Sequence, residues 1–142
     1  MTVVLDASAL LTYLQDDLGG EVVEGVLAEA VISSVNWAEV VQKSVAAGVV
    51  VEGMREDLEA LGLEIVSFTP EDGEMAGRLW LQTRQAGLSL GDSLRDGIAE
   101  RACLSLGMRL DVPVLTSDSL RDGIAERVLA TLGLPLDVQV IR

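Results

Sequence analysis

Apolar positions follow two alternating patterns along the chain. Five short runs rich in Val, Ile and Leu, Thr2–Leu5, Ala30–Ser33, Leu63–Phe68, Val112–Leu115 and Val138–Ile141, have the length and β-branched content of buried strands. The segments between them carry apolar residues at helical spacing. Ala7–Leu14 predicts a helix that Gly19-Gly20 breaks, and Glu21–Glu29 sets Val22, Val23, Val26 and Leu27 on one helical stripe. Further helices are predicted over Val35–Ala47 and Glu52–Leu61. Thr69-Pro70-Glu71 opens another, with proline in the first turn where its missing N–H costs nothing, and this helix runs through Trp80 until Gly87 ends it. Strands alternating with helices predict an α/β domain with a mainly parallel sheet of about five strands flanked by helices. Functional groups in such a domain gather at the carboxyl ends of the strands.

Length and composition narrow the picture. The 142 residues suit one domain spanning 1–142, large enough to bury a core without staples. Nearly half of them, 49%, are hydrophobic and only 3% aromatic, which fits aliphatic strands covered by helices. The lone cysteine, Cys103, excludes an internal disulfide and reads as a small buried hydrophobe beside Leu104 and Leu106. Met1 leads directly into Thr2-Val3-Val4-Leu5 without a basic segment, and no apolar run reaches membrane-spanning length, so a cytoplasmic protein is expected.

Histidine is absent, which removes Ser-His and Cys-His nucleophile designs and the common zinc sites. Acid-base chemistry then falls to carboxylates or to water on a metal. A net charge of −13 argues against a broad basic face for nucleic acid, yet an excess of carboxylate suits a hard cation or a basic partner.

Four acids occupy chemically telling places. Asp6 ends the first strand, with Ser8 positioned to hydrogen-bond or cap the next helix; Asp118 ends the run Val114-Leu115-Thr116-Ser117. Glu39 lies among apolar residues of the third predicted helix, where the plain alternative is a surface pair with Lys43 one turn on. Asp92 follows Leu88-Ser89-Leu90-Gly91 at a helix start, where an acid is ordinarily a cap. Taken together, carboxylates crowded at one end of a sheet repel unless a cation neutralises them, and Mg²⁺ or Mn²⁺ match an all-oxygen ligand set. Arg84, Arg101 and Arg109 read as solvated helix faces.

One feature departs from the alternating scheme. The ten residues Asp92–Arg101, DSLRDGIAER, recur unchanged as Asp118–Arg127. Leu94 with Ile98 and Leu120 with Ile124 predict helical copies, weakened by Gly97 and Gly123. Inserting eight residues into a helix adds about 12 Å and a net rotation of about 80°.

Asp6-Ala7-Ser8-Ala9-Leu10, Asn36-Trp37-Ala38-Glu39-Val40, Leu88-Ser89-Leu90-Gly91-Asp92 and Val114-Leu115-Thr116-Ser117-Asp118 resemble, in order, the four acidic motifs of PIN domains, especially VapC-type toxins. The resemblance covers nearly the whole chain. It implies an endoribonuclease using Mg²⁺ or Mn²⁺, the toxin half of a type II toxin–antitoxin pair. Asp6, Glu39, Asp92 and Asp118 match the family's metal-binding acids, and Ser8 and Thr116 their polar neighbours. The same resemblance implies RNA as substrate, a cognate antitoxin as partner, laid over an acidic groove, and a homodimer.

The duplicated segment departs from the family. A helix resembling Arg101-Ala102-Cys103-Leu104 is expected almost directly after the third acid, and here Ser93–Glu100 intervenes. Either Glu100 takes the third place in the native helix register, or Asp92 keeps it and the added turns bulge outward; the preceding Leu88-Ser89-Leu90-Gly91 favours Asp92. Two other readings stand beside the nuclease. One is an inactive PIN-like module retaining antitoxin or dimer contacts, and the other an unrelated phosphotransfer domain with Asp6 as nucleophile, which lacks a second aspartate two residues on.

Overall fold

The structure, a computed structural model, describes residues 2–85, 94–117 and 137–141. Five strands, β1 (Val3–Leu5), β2 (Ala30–Ser33), β3 (Glu64–Val66), β4 (Val114–Thr116) and β5 (Val138–Val140), form one sheet in the order β3-β2-β1-β4-β5. Every pairing is parallel, with Val4 opposite both Val31 and Val114, Ser33 opposite Val66, and Thr116 opposite Val140. The first three strands step outward in one direction, and the fourth returns to the far side of β1. The strand order therefore reverses between β1 and β4, and the crevice beyond their carboxyl ends is where an open parallel sheet accepts ligands.

Side chains of β1 alternate between two packed layers. Val3 and Leu5 join Leu10, Val23, Ile32, Val40 and Leu58, contributed largely by the helices α1 (Ala7–Leu14), α2 (Gly20–Val26), α3 (Ser34–Ala46) and α4 (Met54–Ala60). Val4 points the other way, into a layer with Val31, Leu79, Cys103, Leu104, Leu106 and Val114, where the covering helices are α5 (Pro70–Gln85) and α6 (Leu94–Leu110). A strand buried on both faces reads as a continuous apolar run because neither face meets water. Cys103 is buried as expected. Among the described residues, no helix is long and apolar enough to cross a membrane.

Several element ends differ from the sequence expectation for local reasons. The stripe over Glu21–Glu29 breaks after Val26 into a 3-10 turn, Leu27–Glu29. The helix anticipated from Glu52 starts at Met54 because Gly53 adopts a left-handed φ of +85°. The fourth strand begins at Val114, one residue past Pro113, whose nitrogen has no hydrogen to donate. Between α4 and β3, Gly62 has φ +107°, and a Cβ there would stand 2.6 Å from the Ala28 Cα. Only glycine combines that φ with so close a backbone approach.

The first copy of the duplicated segment is helical, as its spacing predicted, from Leu94 onward. It forms the N-terminal part of α6, ending at the buried Arg101, and Ala102 through Leu106 follow it, also buried. The second copy lies outside the described residues.

Of the arginines read as solvated, Arg109 is exposed, though its exposed side chain also pairs with an acid, and Arg101 is not. Arg101 is only 4% exposed. Arg109 forks onto Asp72, with Nε to Oδ1 at 2.9 Å and Nη2 to Oδ2 at 3.1 Å. Asp72 also accepts from the Thr69 amide at 3.1 Å while its own amide donates to Thr69 Oγ1 at 3.1 Å. This reciprocal cap starts α5, and the bidentate arginine ties it to the end of α6. The side chain of Arg84 lies outside what the structure describes.

Candidate active site

Asp6 is the residue where β1 turns into α1. Its backbone stays extended at φ −84° and ψ 175°, and its carboxylate caps the helix by accepting from the Ala9 amide at 2.8 Å. Ser8 Oγ donates to the same Oδ1 at 2.7 Å, and the Thr116 hydroxyl at the end of β4 also bonds the carboxylate. The cap anticipated as the plain alternative is thus real, and the position at the reversal of strand order is real too. One side chain serves both. Burial pushes the Asp6 carboxyl above the ordinary aspartate range, only partly offset by the bonds from Thr116, Ser8 and Ala9; the negative charge of Glu39 raises it further.

Glu39 lies on α3, whose first turn is capped by Ser33 Oγ accepting from the Val35 amide. Its side chain is 21% exposed and pairs with Lys43 at 3.0 Å, the surface pair weighed in the sequence. Such an exposed i,i+4 pair is weak and leaves carboxylate oxygen available. Because its charge acts on Asp6, the two acids share one electrostatic neighbourhood.

Asp92 and Asp118 lie outside the described residues. Glu100 stands on α6, and its side chain is outside what the structure describes. Its backbone place is set by the preceding residue, since Asn36 Nδ2 donates to the Ala99 carbonyl at 2.9 Å. Asn36 is 1% exposed and sits one turn before Glu39, and among the described residues its Oδ1 has no partner. An amide left half-satisfied in a buried place has capacity for one more donor or cation. Among the described residues no three metal-capable side chains cluster. The donors that do face this end of the sheet are carboxylate, hydroxyl and amide oxygens, a set that fits a hard divalent cation and offers nothing to a soft one.

Sequence reasoning placed Asp6, Ser8 and Thr116 together, and the structure joins them: Ser8 Oγ lies 3.1 Å from Thr116 Oγ1. It missed Thr12 and Ser117, whose oxygens are 2.7 Å apart. The available signal was spacing, because Thr12 is one helical turn after Ser8 and Ser117 one residue after Thr116. Asn36 was quoted only as part of the Glu39 motif, and its role in holding α6 needed the tertiary contact.

A family model described as PIN domain matches residues 3–119, from β1 to one residue past the fourth acid. Two crystal structures share the fold over essentially the full length. One is VapBC2 from Rickettsia felis bound to a DNA fragment from their promoter, with TM-score 0.64 and 18% identity, covering 100% of both chains. The other is DNA-bound VapBC from Salmonella typhimurium, with TM-score 0.59 and 16% identity, covering 99% of this chain and 98% of that one. No curated protein matches the chain by sequence.

Proposed function

Because the chain belongs to the PIN-domain family, we propose that it is a metal-dependent endoribonuclease, the toxin component of a type II toxin–antitoxin pair, which cleaves RNA phosphodiesters. The observation that carries this reading is Asp6: a carboxylate in the crevice where strand order reverses, oriented by donors from α1 and β4, with Glu39 near enough to repel it. A buried carboxylate held in fixed hydrogen bonds beside a second negative charge is costly without a cation, which is the arrangement that favours binding one.

The acids assigned to the site are Asp6, Glu39 and Asp118, with the third place filled by Asp92 according to its motif or by Glu100 according to the register of α6. When bound, Mg²⁺ or Mn²⁺ supplies Lewis acidity that makes a water nucleophilic near neutrality and offsets charge growing on the phosphoryl oxygens. The chain's part is orientation. Ser8, Thr116 and the Ala9 amide fix the plane of the Asp6 carboxylate. Glu39 brings a second carboxylate from a helix packed on the same layer, and Lys43 balances part of its charge.

The two structural relatives are complexes of a VapB with a VapC bound to DNA. By that likeness a cognate antitoxin is the proposed partner, covering the acidic end of the sheet with a basic segment; a homodimer and a cytoplasmic location complete the reading. A second reading keeps the fold and its partner contacts without catalysis. The duplicated segment favours it, since one copy begins at each of Asp92 and Asp118. Calorimetry with Mn²⁺ on the intact chain and on Asp6→Asn, each then assayed on a mixed RNA pool, separates the two. Binding and cleavage by the intact chain, both lost in Asp6→Asn, support the nuclease; an intact chain that binds neither Mn²⁺ nor RNA supports the inactive module.

A further inference from the structure

Thr12 belongs to no acidic motif, yet it is 8% exposed and makes two hydroxyl contacts in the middle of α1. Its Oγ1 lies 2.9 Å from the Ser8 carbonyl oxygen and 2.7 Å from Ser117 Oγ. The Thr12 hydroxyl is the donor in both contacts, its single hydrogen shared between the carbonyl one turn back and Ser117 Oγ, the nearer of the two.

The same counting continues towards Asp6. The Ser117 amide donates to Ser8 Oγ at 3.0 Å. With one lone pair of Ser8 taken by that amide, its single hydrogen is directed to Asp6 Oδ1 at 2.7 Å. Thr116 Oγ1 lies further from Ser8 Oγ, at 3.1 Å, so the hydrogen goes to the nearer carboxylate, and the Ser117 amide anchors the Ser8 oxygen from which it is donated. Ser117 is also the last residue before Asp118 in sequence.

We infer that Thr12 is a positioning residue for the site: by donating to Ser117 it clasps the end of β4 to the first turns of α1, which aims the Ser8 hydroxyl at Asp6. The inference rests on reading this site as a metal centre. Divalent cations such as Mg²⁺ require near-ideal ligand placement, so loosening the groups that orient a ligand weakens binding without removing any ligand.

The test is Mn²⁺ calorimetry on the full chain, on Thr12→Val, Thr12→Ser and Ser117→Ala, and on the Thr12→Val/Ser117→Ala double variant, with exchange of the Ser117 amide followed by NMR in the absence of metal. Valine keeps the shape of threonine and removes the donor. The expected result is Mn²⁺ affinity reduced roughly tenfold to a hundredfold in Thr12→Val, with a deprotected Ser117 amide, restoration in Thr12→Ser, and a double variant no worse than either single one. Should Thr12→Val fail to fold, Ser117→Ala breaks the same bond from the half-buried β4 side. Undiminished Mn²⁺ binding by variants whose Ser117 amide has lost protection overturns the role of Thr12. Absence of binding by the unmutated chain overturns instead the metal reading on which it rests.

Discussion

Asp6 sets a charge where the fold resists it. Burial and the proximity of Glu39 both raise its carboxyl above the value in an unfolded chain, so between the two values the folded protein binds more protons than the unfolded one. By linkage, this contribution to stability is fully present below the unfolded value and is lost as pH rises through the folded one. Asp6→Asn keeps the cap, because asparagine accepts from the Ala9 amide as well as aspartate does, and it removes the charge. In EDTA, the variant is therefore expected to melt higher than the natural chain near neutrality, with the gap closing towards about pH 4. Melting curves across that range check it. A variant less stable than the parent at neutral pH would show that the carboxylate is better compensated than its surroundings indicate.

At the scale of elements, α6 decides how the duplication is absorbed. Its first copy continues the helix at the N-terminal end, and the bond from Asn36 to the Ala99 carbonyl holds position 100 beside α3, one turn from Glu39. Leu94 is six helical steps earlier, about 9 Å further along the axis. Glu100→Gln is therefore expected to weaken Mn²⁺ binding more than Asp92→Asn does, by about tenfold or more for an ionised ligand, read by calorimetry. The reverse order would show that the chain before Leu94 folds back to keep Asp92 in its motif's place. The turn between α4 and β3 makes a separate demand. Gly62→Ala meets both a left-handed φ and the Ala28 backbone, so a loss of about 2–4 kcal/mol is expected in urea unfolding. Gly62 follows α4 at the amino-terminal end of β3, away from the crevice, and the remaining folded protein should bind Mn²⁺ unchanged.

The whole molecule carries a net charge of −13, and that bounds how it meets RNA. Without a cation, a polyanion approaching this surface is repelled, and few basic groups are left to release counterions. Filter binding in EDTA is expected to retain RNA at background level, and adding Mn²⁺ should raise retention. Tight retention in EDTA with a steep salt dependence would instead reveal a basic face strong enough to override the global charge. The acidic balance favours a basic protein partner, for which complementary charge speeds encounter.

Much of this architecture was legible along the chain, because it depends on near-neighbour chemistry. The apolar runs marked all five strands of a parallel sheet, and Asp6, Ser8 and Thr116 lay at strand ends, where a parallel sheet exposes its site. Proline and glycine moved the element ends by a residue or two, as their backbone limits require. What the tertiary structure decided were contacts between groups far apart in sequence. Arg101 read as a surface residue because nothing local says that its turn of α6 is buried, and the sequence likewise did not show that Asp72 would meet the exposed Arg109 at the end of α6. The clasp of Thr12 with Ser117 and the hold of Asn36 on Ala99 span 105 and 63 residues respectively. Periodicity reports which side of an element is buried, but which buried polar group finds which donor is settled only when the strands reverse their order and bring β4 against β1.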